Sequence, residues 1–230
     1  MPPLLSLRQK DHYERILTAY DSHYYDKWSI RYRDEFIFGP MWDRFDLNNK
    51  FIADLACGSG FNSVSLRERF PQARVMGFDI APSACVNYRR NTGFAARECD
   101  LTMPMELVAE FDAAMVVGGL HHCVADLGQT LKNLASMLVP GGLFMILEPS
   151  SEFFLETLRN FWYRHDRLFD HPTEHALKHD ELLAMSGDFT LLDRAGAPVE
   201  PAALEDNAQC IPGSLVQKGL KLTTQPFPIT

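Results

Sequence analysis

The stretch FIADLACGSGFNSVSL, residues 51–66, decides the fold of this chain. It starts as an apolar segment typical of a buried strand, passes through two glycines, and continues as a segment typical of a helix. A glycine-rich turn that leads from a strand into a helix brings backbone N–H groups and the helix N-terminus against a ligand. We therefore interpret residues 54–60 as a ligand-binding loop.

The region after residue 50 alternates short apolar runs with amphipathic segments. The runs are FIADLA, FNSVSLRERF, ARVMGFD, PSACVNYRRN, FAAREC, FDAAMVVGG, DLGQTLKNLASML and GLFMILEP. This alternation predicts an α/β fold, a doubly wound and mostly parallel sheet with helices on both faces. We expect one domain over residues 1–230, with a helical N-terminal cap at 1–47 and a ligand-binding core at 48–150. Residues 151–230 should form a lid, with a helical insertion after strand five, and C-terminal strands; we assign no structure to 196–230.

Composition and charge narrow the classes of function. The chain has 230 residues and a formal net charge of −8, which argues against an extended basic surface for nucleic acid or anionic lipid. Its five cysteines form no C-x-x-C pair, so we expect reduced thiols and no zinc site. The sequence shows no signal peptide and no run long enough to span a membrane. These features predict a soluble, cytoplasmic protein.

Three acidic residues follow three consecutive predicted strands. Asp54 precedes the first glycine of the loop, where a carboxylate repels a pyrophosphate and attracts an ammonium group. Asp79 follows the second strand, where a carboxylate can accept both hydroxyls of a ribose. Asp100 follows the third, where it could accept from an exocyclic amino group such as that of adenine. An ammonium group, a ribose and an adenine together describe S-adenosylmethionine.

These motifs resemble those of the class I S-adenosylmethionine-dependent methyltransferases over roughly residues 20–150. DLACGSG looks like the family's first motif, FDIAP like its acidic motif, and ECDL like its adenine-side motif. FDAAMVVGGLHHC and LVPGGLFMILEP look like its fourth and fifth strands. The resemblance implies a Rossmann-like methyltransferase fold, S-adenosylmethionine as cofactor and S-adenosylhomocysteine as product.

The family's cofactor-binding roles carry over to matching positions. The methionyl part would lie against the backbone of Ala56, Gly58 and Gly60, the ribose on Asp79, and the adenine beside Asp100 and Leu101. Gly118 would lie near the amino group, and Cys57 and Ile80 belong to the same motifs. Ala56 replaces the glycine most often seen at its position. The cap AYDSHYYDKW suggests Tyr20, Tyr24 or Trp28 over the cofactor.

The catalytic residues are less evident from the sequence. Methyl transfer mainly requires positioning of the acceptor and exclusion of water. For an oxygen acceptor, His121 and His122 after strand four are candidates for a general base, although histidines there more often cap the next helix or face the core. His165, Asp166, His171 and His175 have no compact zinc spacing and favour a solvated helical face. We therefore predict no metal site.

Two other functions remain open at this stage. An NAD(P)-dependent oxidoreductase would use the same sheet, but Asp54, the serine in place of a third glycine, and Asp100 argue against it. A non-catalytic cofactor-binding subunit would partner another enzyme. We favour transfer of a methyl group to an O, N or C atom of a small-molecule acceptor, in a monomer or homodimer, with no nucleic-acid partner.

Overall fold

The computed structural model describes most of the chain up to residue 149 and shorter parts beyond it. The described residues are 4–106, 109–123, 125–149, 151, 160–161, 164–165, 167–170, 173–174, 176–185, 187, 189–196 and 217–224. Much of the predicted lid, including Asp166, His171 and His175, lies outside them. No described helix is both long and apolar enough to cross a membrane.

The helices precede the sheet and then alternate with its strands. They are α1 (Leu4–Tyr24), α2 (Lys27–Arg33), a π-helical turn (Asp34–Phe38), α3 (Gly39–Trp42), α4 (Phe61–Arg69), α5 (Pro82–Thr92), a 3₁₀ turn (Leu120–His122), α6 (Leu127–Met137) and α7 (His179–Met185). The Asp26 carboxylate caps α2 by accepting from the backbone N–H of Trp28 at 2.8 Å, and Asp126 caps α6 through Gln129 at 2.9 Å. Such caps satisfy N–H groups that a helix start leaves unpaired.

Seven strands form one sheet. They are β1 (Phe51–Leu55), β2 (Arg74–Asp79), β3 (Ala95–Glu98), β4 (Phe111–Val117), β5 (Leu138–Pro149), β6 (Phe189–Gly196) and β7 (Gln217–Thr224). Their order is β3-β2-β1-β4-β5-β7-β6. The first five are parallel, and β7 is antiparallel to both β5 and β6.

Apolar side chains of the central strands pack on both faces of the sheet. In β4, Ala114 and Val116 belong to the cluster that contains Leu131 and Leu134 of α6. Ala113 and Met115 belong to the cluster that contains Leu66 of α4 and the apolar residues of the π-helical turn and α3. Successive residues of a strand point to opposite faces, so nearly continuous apolar runs are the consequence of helices covering both sides.

The predicted fold class is confirmed. The N-terminal region predicted as a helical cap contains α1, α2, the π-helical turn and α3, from Leu4 to Trp42. Residues 196–230 had no assigned structure, and 217–224 of them form β7, which pairs with β5 and β6. The segment QKGLKLTT contains a glycine and two lysines, so its pattern is only a weak indication of a strand. The sequence did not show that it pairs with the apolar β5 and with β6. The division into cap, core and lid stays a prediction.

Candidate functional site

The carboxyl ends of the five parallel strands meet at one edge of the sheet, which is where ligands bind in open α/β folds. The glycine loop, Ala56–Gly60, connects β1 to α4 there. Ala56, Gly58 and Gly60 all have positive φ angles, of 50°, 51° and 88°. The backbone N–H of Cys57 donates to Phe78 O at 3.1 Å, and Gly60 N donates to Cys57 O at 3.0 Å. The loop is therefore held in shape by the protein itself.

The two glycines of the loop face different surroundings. A Cβ atom on Gly60 would lie 2.5 Å from Thr92 Cγ2 and 2.8 Å from Tyr88 Cδ2, against α5. A Cβ on Gly58 would meet no atom within 4 Å. Gly60 is thus required for packing of the loop on the protein, whereas Gly58 borders open space in which a ligand can lie against the backbone.

Asp54, at the end of β1, is buried beneath the loop with 1% of its surface exposed. Its Oδ2 accepts from Ser63 Oγ at 2.6 Å, and Ser63 Oγ also lies 2.7 Å from Tyr88 Oη. Its Oδ1 is buried and has no hydrogen-bond partner. Burial, with a smaller contribution from Asp79, raises the pKa of Asp54 to about 8 despite the Ser63 hydrogen bond. Asp54 both orders the loop and presents one unpaired oxygen.

Asp79, at the end of β2, connects the glycine loop to the start of α5. Its Oδ2 accepts from Gly58 N at 2.8 Å and its Oδ1 from Ala81 N at 2.9 Å. Burial raises its pKa, and these two N–H donors oppose that shift. A carboxylate has about four lone-pair sites, so Asp79 retains acceptor capacity. Ile80, beside it, is half-buried.

Asp100 follows β3 and also keeps one oxygen unpaired. Its Oδ1 accepts from Thr102 N at 2.9 Å and Thr102 Oγ1 at 2.6 Å, which is the turn-capping role considered from the sequence. Its Oδ2 is buried without a partner. The adjacent Leu101 is buried, and its carbonyl accepts from Asn133 Nδ2 at 2.8 Å. One carboxylate therefore both stabilises the turn and offers an acceptor.

Strand β4 is followed by Gly118, whose φ of 66° turns the chain into the 3₁₀ turn. The side chain of Glu148, from the end of β5, holds this turn: its Oε1 accepts from Gly119 N at 2.7 Å and Leu120 N at 2.6 Å. Glu148 Oε2 accepts from His121 N at 3.2 Å and lies 2.7 Å from His121 Nδ1. A buried carboxylate with four donors around it fixes both the turn and the orientation of one imidazole.

His121, His122 and Glu174, which we call the histidine cluster, lie at this end of β4. The imidazole centroids of His121 and His122 are 3.8 Å apart. Glu174 is 3% exposed, and burial raises its pKa. Burial and the neighbouring His121 and His12 lower the pKa of His122 well below its usual value. Tyr13 of α1 places its hydroxyl 3.3 Å from both His122 Nε2 and Glu174 Oε1.

Helix α1 covers this edge of the sheet with a polar inner face. Its buried residues include Ser6, Gln9 and His12, while Leu4 is 82% exposed. Asp21 Oδ2 accepts from Ser59 Oγ at 2.6 Å. Gln9 Nε2 and Asp21 Oδ1 are buried without partners. Polar groups buried against a site, with apolar groups outside, are the reverse of a core-packing helix, and are consistent with a helix that covers a polar ligand.

The predicted aromatic cap residues lie in different environments. Tyr20 and Tyr24 are half-buried, with ring centroids 4.4 Å apart, and Tyr20 lies edge-on to Tyr13 at 5.7 Å. Trp28 is 47% exposed, with Lys27 Nζ 4.8 Å from its ring. The roles of Tyr20, Tyr24 and Trp28 over the cofactor stay predictions.

Several site residues were missed from the sequence. Tyr13, Ser63, Glu148 and Glu174 take part through contacts between distant parts of the chain, and their local sequence carries no signal of it. Glu148 alone, at the end of predicted strand five, could have been found from its position. The absence of a metal site stays a prediction. Among the described residues, one group, the histidine cluster, has potential ligand atoms within 4.8 Å of one another.

Comparison with known proteins gives a family for the core. Residues 52–142 match the model of the family described as "Methyltransferase domain". Demethylmenaquinone methyltransferase of Thermus thermophilus is 38% identical over 105 residues, covering 43% of this chain and 47% of that protein. Trans-aconitate 2-methyltransferase of Methylobacterium nodulans is 29% identical over 106 residues, covering 44% and 38%. The match thus spans about half the length of these curated relatives or less.

Solved structures resemble the chain over almost its whole length. The N-methyltransferase NodS from Bradyrhizobium japonicum, in complex with S-adenosyl-L-homocysteine, superposes with a TM-score of 0.65 over 94% of this chain and 97% of its own. At 13% sequence identity, this likeness establishes the fold and not the acceptor. The expected Rossmann-like methyltransferase fold is confirmed.

Proposed function

We propose that the protein transfers a methyl group from S-adenosylmethionine to a small-molecule acceptor, because residues 52–142 match the family model described as "Methyltransferase domain". One observation carries this proposal. Asp54 and Asp100, at the ends of β1 and β3, each have a buried oxygen without a partner. Asp79 lies between them at the end of β2, beside the open space at Gly58.

These residues fit the cofactor group by group. The unpaired Asp54 Oδ1 suits the ammonium group, because a cation compensates a buried carboxylate. Asp79 suits the ribose hydroxyls, since its oxygens already accept one N–H each and retain further lone pairs. Asp100 Oδ2 and Leu101 suit the adenine, and Ala56, Gly58, Gly60 and Gly118 would border the methionyl part. When bound, S-adenosylmethionine supplies a methyl group on a sulfonium as the electrophile.

The protein's own contribution is to orient the acceptor and exclude water. Helix α1 lies over the strand ends and closes the site from one side, with Tyr13 and Asp21 on its inner face. For an oxygen acceptor, His121 is the candidate general base: Glu148 holds Nδ1 at 2.7 Å, and this orientation leaves Nε2 to take a proton. His121→Ala should lower kcat much more than cofactor affinity; equal losses would argue against this role.

We propose only the chemical class of the acceptor, an organic small molecule. The two named relatives act, by their names, on demethylmenaquinone and trans-aconitate, which are small molecules of different kinds. The net charge of −8 and the lack of a basic–aromatic stripe do not favour nucleic acid. The aromatic row of Tyr13, Tyr20 and Tyr24 next to the histidine cluster is a suitable wall for an organic acceptor.

Calorimetric titration with S-adenosylhomocysteine, beside NADH, tests the proposal. We expect saturable one-site binding of S-adenosylhomocysteine only. Asp79→Ala should weaken it by about 100-fold, since two charge-assisted hydrogen bonds of about 1.5 kcal/mol each would be lost. Asp79→Asn, which keeps one carbonyl oxygen, should lie between. Binding of NADH instead would favour an oxidoreductase. Binding of S-adenosylhomocysteine without turnover on any acceptor panel would favour a non-catalytic subunit.

A further inference from the structure

The histidine cluster combines two imidazoles and one carboxylate in a buried position. A potential ligand atom from each of His121, His122 and Glu174 lies within 4.8 Å of the other two. The side chains are 9%, 14% and 0% exposed. His122 Nδ1 and Glu174 Oε1 are 3.8 Å apart, which is too long for a hydrogen bond. The three groups are therefore close enough to share one ligand, and His122 and Glu174 do not hydrogen-bond directly to each other.

The hydrogen bond to Glu148 determines which nitrogen of His121 can bind a ligand. His121 Nδ1 lies 2.7 Å from the Glu148 carboxylate, which accepts only, so the proton belongs on Nδ1 and the lone pair on Nε2. Histidines that bind metals almost always donate their second N–H to a carboxylate, carbonyl or water. Glu148 supplies this outer-shell carboxylate.

A second chain of hydrogen bonds arranges the other two groups in the same way. Tyr13 Oη donates to Glu174 Oε1 at 3.3 Å, so it can accept from His122 Nε2, also at 3.3 Å. With the protons placed in this way, His122 Nδ1 and Glu174 Oε2 each keep a free lone pair. Both of these atoms are buried and have no hydrogen-bond partner. An unpaired buried polar atom is destabilising unless something else satisfies it.

We propose that His121, His122 and Glu174 bind one divalent transition-metal ion. Two imidazoles and one carboxylate are the ligand set of catalytic Zn²⁺ sites and of non-haem Fe²⁺ sites. Imidazole donors disfavour Mg²⁺ and Ca²⁺, which prefer oxygen ligands. The proposal goes beyond the methyltransferase activity, because the ion would bind without cofactor or acceptor.

The placement of the site gives the ion a role. His121 and His122 follow Gly118, which is predicted to lie near the amino group of the cofactor. Three protein ligands leave at least one coordination position open, where water or an oxygen atom of the acceptor can bind. A hydroxyl bound to such an ion loses its proton more readily. In the metal-loaded protein, His121 Nε2 is then a ligand and does not act as the general base. The ion would make the bound hydroxyl more acidic, so that its proton can pass to solvent water.

Metal titration of the protein without affinity tag, cofactor or acceptor tests the site. After removal of metals with a chelator, Co²⁺ is added while its visible d–d bands are recorded, and Zn²⁺ is then added as a competitor. We expect one Co²⁺ per chain, band intensities typical of four- or five-coordination, and displacement by Zn²⁺. Mg²⁺ should not displace it.

Four variants test which residues bind the Co²⁺ ion. Glu174→Gln and His122→Gln preserve size and should abolish the bands. Glu148→Gln, which alters the outer shell, should weaken binding by about 10- to 100-fold. His165→Ala is the matched control, since His165 is exposed and contacts Phe161 O of its own segment at 2.7 Å; it should bind as the original protein does. Circular dichroism of the metal-free variants verifies that they fold.

Three results would overturn the inference: no Co²⁺ binding by the folded protein, binding that survives in both Glu174→Gln and His122→Gln, or binding lost in His165→Ala. Titration of the same samples with S-adenosylhomocysteine separates this outcome from failure of the proposed function. A protein that binds S-adenosylhomocysteine but no Co²⁺ refutes the metal site alone. One that binds Co²⁺ but no S-adenosylhomocysteine refutes the cofactor assignment alone.

Discussion

The glycine loop and the histidine cluster lie at the same edge of the sheet but are constructed differently. The loop is formed within five residues, and its stabilising contacts come from β2, the next two helices and Asp21 of α1. The cluster joins the 3₁₀ turn after β4 to the segment before α7, with further contacts from β5 and α1. Tyr13 and Glu174, which form one of these hydrogen bonds, are 161 positions apart. A site formed by neighbouring residues, such as the proposed cofactor loop, can be predicted from the sequence. A site formed by distant residues, such as the cluster on the proposed acceptor side, cannot.

The largest expected effect is a loss of stability when the side chain of Glu148, which holds the turn of the histidine cluster, is removed. Glu148→Ala leaves three buried backbone N–H groups and His121 Nδ1 without an acceptor. Loss of one member of a buried pair typically costs about 3–5 kcal/mol of stability. We expect a decrease of that size in the free energy of unfolding, measured by urea denaturation. Glu148→Gln keeps an acceptor oxygen and should lose much less; similar losses in both would contradict the assignment.

The second prediction contrasts the two glycines of the loop. Gly60→Ala places a methyl group against Thr92 and Tyr88 at a positive φ, which should cost about 2–5 kcal/mol from overpacking and backbone strain together. Gly58→Ala meets open space, so only the strain of about 1–2 kcal/mol remains. Urea denaturation compares their stabilities. Gly58→Ala should nevertheless weaken S-adenosylhomocysteine binding, and unchanged affinity would show that the open space is not the cofactor site.

The third prediction concerns the contribution of α1 to the histidine cluster. Tyr13→Phe keeps the ring packing against His122, with centroids 5.2 Å apart, but removes the hydroxyl that bridges His122 and Glu174. Leaving buried polar groups unpaired costs about 1–3 kcal/mol. We expect a loss of this size in thermal or urea unfolding, with S-adenosylhomocysteine affinity unchanged. A loss of cofactor affinity would mean that the two regions are coupled.

The fourth prediction uses the protonation of Asp54. Its pKa is about 8 in the folded protein and near 3.8 when unperturbed. Between these values the folded state retains a proton that the unfolded state has lost, so stability decreases as pH rises. The slope is at most about 1.4 kcal/mol per pH unit. Asp54→Asn should remove this contribution to the decrease. Urea unfolding between about pH 5 and 8, the range over which the group titrates, measures the free energy of unfolding for both proteins.

The same carboxyl group should respond to the cofactor. An ammonium group beside Asp54 favours the ionised form, so binding of S-adenosylhomocysteine near neutral pH should release a proton. Calorimetry in two buffers of different ionisation enthalpy measures that release. Asp54→Asn should release none from this position, and equal release by both proteins would show that Asp54 is not the group that meets the ammonium.

The glycine loop was predictable from the sequence to a greater extent than the histidine cluster. Strands β1 to β5, the glycine loop and the acids Asp54, Asp79 and Asp100 were predictable, because strand and turn patterns are local and parallel strands end at one edge. That Asp54 and Asp100 each satisfy only one oxygen was not, since it depends on side-chain rotamers. The pairing of β7 and the meeting of Tyr13, His122 and Glu174 depend on tertiary contacts that leave no periodic signal in the sequence.

Strand β7 has a consequence for synthesis on the ribosome. It occupies the position between β5 and β6, pairing with Leu143 through Pro149 on one side and Phe189 through Gly196 on the other. The five parallel strands are translated first, so the long apolar β5 remains an unprotected edge until residues 217–224 leave the exit tunnel. An exposed apolar edge is a site of intermolecular pairing. A nascent chain stalled before β7 is therefore the form of this protein most in need of a chaperone.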